Sequence, residues 1–190
     1  MRVLPHPVVV LTSLHPGSPS DDHTQHPRAM TMSSLTSLSL SPTPLVTFNV
    51  KTPSRTLDAV VASGRFNVHV LTGDAAGTRV AEWFASGNWG FDPFEGVERA
   101  GVVVEDNAPG RIKGGVAGLG TGIVLKGEGV AAVVTCKVEQ ALEVRDHVIV
   151  VGEVDGIGGL AEGELEVGLG YADRAYRRAG EVISKHTEKR

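Results

Sequence analysis

At 190 residues, 41% hydrophobic and 21% charged, the chain has the size and composition of one globular domain with length enough to bury a core. Its 18 Lys+Arg against 22 Asp+Glu leave a net charge of −4, which argues against a broad basic face for nucleic acid. The single cysteine, Cys136, excludes an intramolecular disulfide, CxxC redox chemistry and multi-cysteine zinc sites. No apolar run approaches the roughly 18–20 residues of a membrane helix, and the start has neither the apolar length nor the cleavage site of a signal peptide. The reading is a soluble protein of a reduced compartment, cytoplasmic, with a mitochondrial location left open.

In chain order, the first Val-rich run, Val8–Thr12, predicts a strand. Leu14–Pro27, with its prolines and His15, His23 and His26, predicts a loop; it offers no rigid ligand spacing, so no metal site is expected. Further strands are predicted at Leu45–Val50, Phe66–Leu71, Val102–Glu105, Val130–Val138, His147–Val154 and Leu165–Gly170. In His147–Val154 both faces are apolar up to Glu153, which reads as a strand covered on both sides. Two helices are expected. One runs over Arg55–Ser63, capped by Ser54 and closed by Gly64; the other runs over Ala75–Ala85, turning Val80, Trp83 and Phe84 inward. A short third helix is suggested around Ala172–Arg178. Trp89, Phe91 and Phe94 sit in a Gly/Asn/Pro loop and either cover a flat ligand or pack on a second subunit. Asn107–Gly129 is a glycine-dense loop without the GxGxxG spacing of a dinucleotide fingerprint, best read as a hairpin or lid. Cys136 reads as a small buried hydrophobe. Many short strands and few helices favour a closed or nearly closed barrel.

Two segments carry candidate chemistry. Thr31–Ser41 interleaves hydroxyls with Met32, Leu35, Leu38 and Leu40, and β propensity does not explain its serines. Those hydroxyls either face solvent on a serine-rich turn or hydrogen-bond a flat ring or a phosphate. Downstream, Phe48-Asn49-Val50-Lys51-Thr52-Pro53-Ser54-Arg55-Thr56 is a strand feeding a helix N-terminus. Simple capping accounts for Ser54 but not for Lys51 and Arg55, because positive charge is mildly unfavourable at that end. A bound phosphate removes the conflict.

Taken together, Ala29–Ser39, Pro44-Leu45-Val46, Ser54-Arg55-Thr56-Leu57, Ser63–Leu71, Asp146–Val154 and Tyr171 through Arg177 resemble the flavin reductase-like, FMN-binding split-barrel family, in order and over most of Pro7–Arg178. The resemblance implies a mainly β, six-stranded antiparallel Greek-key split β-barrel with a few flanking helices. It implies one domain over residues 1–190, commonly paired as a homodimer. The implied activity is that of a flavin reductase, an NAD(P)H:flavin oxidoreductase passing hydride from NADH or NADPH to FMN or FAD, in some members to supply a partner monooxygenase. An FMN-binding protein with little turnover, or an oxidoreductase holding FMN tightly for another acceptor, is the alternative. By position, Thr31, Met32, Ser33, Ser34 and Ser37 would contact the isoalloxazine and ribityl chain, with Phe48 and Asn49 along the same wall. Ser54, Arg55 and Thr56 would hold the phosphate, and His147 would line the face where nicotinamide stacks. The chain departs from the family in a longer Leu14–Pro27, an expanded Asn107–Gly129 and an arginine, Arg145, where a glycine usually precedes Asp146-His147.

Overall fold

The computed structural model describes residues 3–17, 25–85, 92–106, 123–159 and 168–178. Its centre is a seven-stranded sheet in the order β3-β2-β6-β9-β10-β5-β4, with every neighbouring pair antiparallel. These strands are β2 (Val9–His15), β3 (His26–Met32), β4 (Thr36–Ser39), β5 (Leu45–Lys51), β6 (Arg65–Leu71), β9 (Val130–Val144) and β10 (His147–Gly158). Beside it lie the hairpin of β7 (Val102–Asp106) with β8 (Ile123–Gly127), and a small sheet of β1 (His6–Pro7), β11 (Gly170–Ala172) and β12 (Ala175–Arg177). Where a six-stranded split barrel, closed or nearly closed, is expected, the described residues form an open antiparallel sheet of seven strands. Among the described residues no ladder joins its edges β3 and β4; the Ser34 hydroxyl, between them in the chain, donates to Asn49 O of β5 (2.9 Å) and accepts from Asn49 N–H (3.2 Å).

Period-two alternation divides the core. Val9 and Leu11 of β2 join Met32, Phe48, Val50, Phe66, Val68, Cys136, Val148 and Val150 on one side of the sheet, roofed by Leu57 and Val60 of α1 (Arg55–Ser63). Val8 and Val10 face the other way, onto Val80, Ala81 and Phe84 of α2 (Ala75–Ala85) and onto Val102 and Leu125 of the β7–β8 hairpin. Both faces of this run are covered, which is why it reads as unbroken valine and leucine. At the heart of the first cluster, Phe48 and Phe66 meet edge to face with centroids 5.2 Å apart. Gly152 passes so close to the Phe66 ring that a β-carbon there would overlap it.

The helices obey their end signals. Ser54 accepts from Leu57 N–H (3.2 Å) at the start of α1, and Gly64, at φ 67°, closes it with N–H to Val60 O (2.9 Å). Before α2, Asp74 accepts from the Thr72 hydroxyl (2.7 Å) and from Gly77 N–H (2.9 Å). Those bonds, Thr72 first, hold its carboxyl below the usual carboxylate range.

Several expectations need correction. Leu14–Pro27 is not irregular at its ends: β2 runs to His15, β3 starts at His26, and the two pair as Leu14↔Pro27 and His15↔His26. The rest of that stretch, 18–24 with His23, lies outside the described residues. Ala172–Arg178 is no helix. It is the β11–β12 hairpin, turned by Asp173 (φ 48°) and Arg174 (φ 60°), whose left-handed pair suits a two-residue hairpin turn. Within Asn107–Gly129, Ile123–Gly127 is β8, and 107–122 lies outside the described residues, as do Trp89, Phe91 and 160–167. Of the expected strand Leu165–Gly170, Gly168 bridges Thr72 and Gly170 opens β11. His147–Val154 is covered on one face only: Val148 and Val150 are buried, whereas Ile149 and Val151 are half-buried.

One buried polar group was not anticipated. His69 on β6 is fully buried, accepts Leu125 N–H at Nε2 (3.0 Å) and faces Val10 O through Nδ1 (3.1 Å). Since an amide can only donate, Nε2 is the acceptor and Nδ1–H the donor, which defines one neutral tautomer. Burial pushes its pKa down to about 4, opposed by the Val10 bond. The ring stitches β8 onto the back of the main sheet.

Candidate functional site

The cavity to which these elements lead has a volume of about 410 Å³, between the β3 edge and the start of α1. Ala29, Met30 and Thr31 form one wall; Pro53, Ser54, Arg55, Thr56 and Asp58 form the other; Phe84 and Ala85 at the end of α2 complete it. Thr31, Ser54, Arg55 and Thr56, far apart in sequence, are therefore brought together.

Their hydroxyls are not equivalent. Thr31 donates to Ala81 O (2.7 Å), tying β3 to the last turn of α2. Thr56 is buried and donates to Ala29 O (3.3 Å), so its hydroxyl ties α1 to β3 and is not presented to a ligand. Ser54 uses a lone pair on Leu57 N–H and keeps its own O–H to donate. The backbone N–H groups of Arg55 and Thr56 precede the first intrahelical acceptor and, with the helix dipole, favour an anion. Arg55 is exposed and adds a full positive charge. Asp58, one turn further on, repels an anion and confines it to the Ser54–Arg55 end. This donor set, one guanidinium, one hydroxyl and two amides beside an apolar Met30, fits a phosphate attached to a larger ligand.

Other sequence-predicted residues fall elsewhere. Met32 (6% exposed) and Phe48 (1%) are core side chains, since both point into the cluster around Phe66, and neither lines the cavity. Ser34 is engaged with the Asn49 backbone, while Ser33, Asn49 and Ser37 are exposed and lie outside the cavity lining. His147 is also outside the lining, at the first residue of β10. It is held close nonetheless: Thr52 N–H donates to Asp146 O (2.9 Å), and Thr52 leads directly into Pro53 and Ser54 of the cavity wall.

His147 is oriented by its neighbour. Its Nδ1 lies 2.9 Å from Asp146 Oδ1, and Lys51 Nζ lies 3.7 Å from Asp146 Oδ2. The His147 bond, with the charges of His147 and Lys51, keeps the Asp146 carboxyl below its ordinary range. A carboxylate on Nδ1 holds the proton there and leaves Nε2 for a ligand. Cys136, by contrast, is buried, with its thiol pushed up to about 12, and is inert packing as expected. Among the described residues no His/Cys/Asp/Glu group is arranged to hold a metal, and no helix is long and apolar enough to cross a membrane.

A cation that the sequence reading did not single out, Arg28, directly precedes the lining residues Ala29, Met30 and Thr31 in the chain. It is half-buried and donates through Nη1 to Pro27 O (3.1 Å). Its only sequence signal is a cation two positions before Met30, on the same side of the strand.

Comparison with known proteins agrees with this architecture. Residues 1–180 match the flavin reductase like domain. The chain is 32% identical over 179 residues to a flavin reductase (NADH) of Kitasatospora aureofaciens, covering 94% of this chain and 78% of that protein. Its fold is similar to that of the NADH:FAD oxidoreductase of Streptomyces globisporus C-1027, with a TM-score of 0.67 and 28% identity over 94% of this chain and 89% of that one. The styrene monooxygenase flavin reductase of Pseudomonas putida S12 shares the fold at 20% identity and a TM-score of 0.65, over 96% and 95% of the two chains. The chain belongs to the flavin reductase-like domain family.

Proposed function

We propose that the chain is an NAD(P)H:flavin oxidoreductase, a flavin reductase that binds FMN or FAD in the cavity between β3 and α1. The observation that carries this is the convergence of Arg55, the Ser54 hydroxyl and the free amides of α1 on one cavity, in a chain of the flavin reductase-like family. The nicotinamide supplies a hydride that the flavin ring accepts, so the protein has to bind, orient and exclude water. Ser54, Arg55 and the α1 amides hold the phosphate inside the cavity, while exposed Ser33 and Asn49, outside the cavity lining, extend its wall along the ring and ribityl chain. His147, fixed by Asp146, offers Nε2 to the carboxamide of the nicotinamide. An exposed Arg55 suits a flavin that arrives oxidised and leaves reduced, available to a separate oxygenase.

On this reading the open sheet is half of a split-barrel homodimer. Leu142 (52% exposed) and Val144 (43%) on β9 flank half-buried Ile149 and Val151 on the outward face of β10, an apolar surface suited to a second copy. Light scattering should give twice the chain mass, and a mass of one chain at micromolar concentration contradicts the dimer.

The deciding experiment is NADH and NADPH oxidation with FMN, FAD or riboflavin added. Turnover that depends on added flavin supports the reductase, and absence of turnover with all three overturns it. His147→Ala should slow turnover and leave flavin affinity unchanged; unchanged turnover removes His147 from the site.

A further inference from the structure

We propose that Met30 is a site of reversible oxidation, its thioether converted to the sulfoxide by hydrogen peroxide, and that the sulfoxide weakens the cavity's hold on a flavin phosphate. The inference rests on the proposed flavin reductase function and adds a modification of its binding cavity.

The chain has three methionines and one cysteine. The described residues place three of those sulfurs in different surroundings. Met32 is a core side chain, 6% exposed, in the cluster around Phe66. Cys136 is buried with its thiol pushed up to about 12, so it offers peroxide almost no thiolate. Met30 shares a face of β3 with Met32 and pairs with Leu11 of β2, yet it is half-buried and packs at the margin of that cluster. It also lines the cavity of about 410 Å³. Of these three sulfurs it is the one that a small oxidant in the cavity reaches.

The proposed activity supplies that oxidant. Dioxygen that takes two electrons and two protons from reduced flavin is released as hydrogen peroxide, and the flavin returns to its oxidised form. The Met30 sulfur then attacks one peroxide oxygen and the O–O bond breaks. Sulfur is oxidised to S=O, and the other oxygen leaves as water.

The consequence follows from what faces Met30. A thioether is apolar and a weak acceptor, whereas a sulfoxide oxygen is a strong acceptor with negative charge density. The opposite wall supplies donors: the Ser54 hydroxyl, the Arg55 guanidinium and the first amides of α1. Those are the groups proposed to hold the phosphate. A sulfoxide oxygen in the cavity competes for them and repels a phosphate, while riboflavin, which has no phosphate, escapes most of the effect.

Peptide mass spectrometry of the full chain locates the oxidation, after hydrogen peroxide and, separately, after NADH and FMN in air with or without catalase. Sulfoxide should accumulate at Met30 roughly tenfold faster than at Met32 or more, and catalase should suppress it in the NADH arm. Titration with FMN and riboflavin then reads the effect. Oxidised protein should bind FMN about fivefold more weakly or worse, with riboflavin within about twofold, and methionine sulfoxide reductase should restore the FMN affinity. Met30→Leu, shown to be folded by thermal unfolding and compared with its own untreated affinity, should not respond to peroxide. Equal oxidation of Met30 and Met32, equal weakening of the two flavins, or the same loss in Met30→Leu overturns the proposal. Wild type that binds neither flavin before oxidation refutes the proposed function itself. Wild type that binds flavin and keeps its affinity after Met30 is oxidised overturns this inference alone.

Discussion

His69 makes folding stability depend on pH in a window where few other groups act. The ring is fully buried, neutral and doubly hydrogen-bonded, with its pKa at about 4 against an ordinary 6.5. Below 6.5 the unfolded chain binds a proton that the folded chain refuses until about pH 4. Stability is therefore fully present above 6.5 and lost as pH falls toward 4. At 1.36 kcal/mol per pH unit, the full difference is about 3 kcal/mol. His69→Gln keeps a donor and an acceptor but does not titrate. Urea unfolding at fixed protein concentration should show wild type well ahead of His69→Gln at pH 7, with the gap narrowing by roughly 2–3 kcal/mol at pH 4.5. Asp74 and Asp146, with carboxyls lowered from 3.8, lose their contributions at still lower pH and do not confuse the comparison. If wild type and variant stay parallel between pH 7 and 4.5, His69 is not a buried neutral ring and its role in anchoring β8 is wrong.

Two further substitutions probe the fold. Gly152→Ala drives a methyl into the Phe66 ring, itself wedged against Phe48; it should cost about 1–3 kcal/mol by urea unfolding, and a neutral result contradicts the packing. Arg145 holds φ 56° in the β9–β10 turn, where an L side chain is strained, so Arg145→Gly should raise stability by up to about 1 kcal/mol after the added freedom of the unfolded chain is counted; a lower melting temperature would contradict that.

The parts legible in the sequence were those set by local chemistry. Ser54 and Gly64 marked both ends of α1, and the apolar spacing over Ala75–Ala85 marked α2, because caps and periodicity act within a few residues. Strand interiors were equally plain. What escaped was set by distant pairing. His15 and His26 sit among prolines and look like loop residues, yet they face each other across a ladder that only the fold reveals. Asp173-Arg174 lacks the glycine that announces a two-residue turn, and the helical reading of that segment followed. At the site, the hydroxyl pattern was visible but its use was not. Thr56 and Ser34 spend their hydroxyls on Ala29 and Asn49, and Met32 and Phe48 turn into the core, because strand alternation sends neighbouring side chains to opposite faces.

The central claim is that the start of α1 holds a flavin by its phosphate, and the affinity of FMN relative to riboflavin in wild type and Arg55→Ala tests it most directly. Riboflavin has the same ring and ribityl chain without the phosphate. Loss of a charge-assisted hydrogen bond costs roughly 1.5–3 kcal/mol, or about ten- to hundredfold in affinity. Arg55→Ala should therefore weaken FMN by that factor and leave riboflavin nearly unchanged. Equal weakening of both, or of neither, would contradict the account.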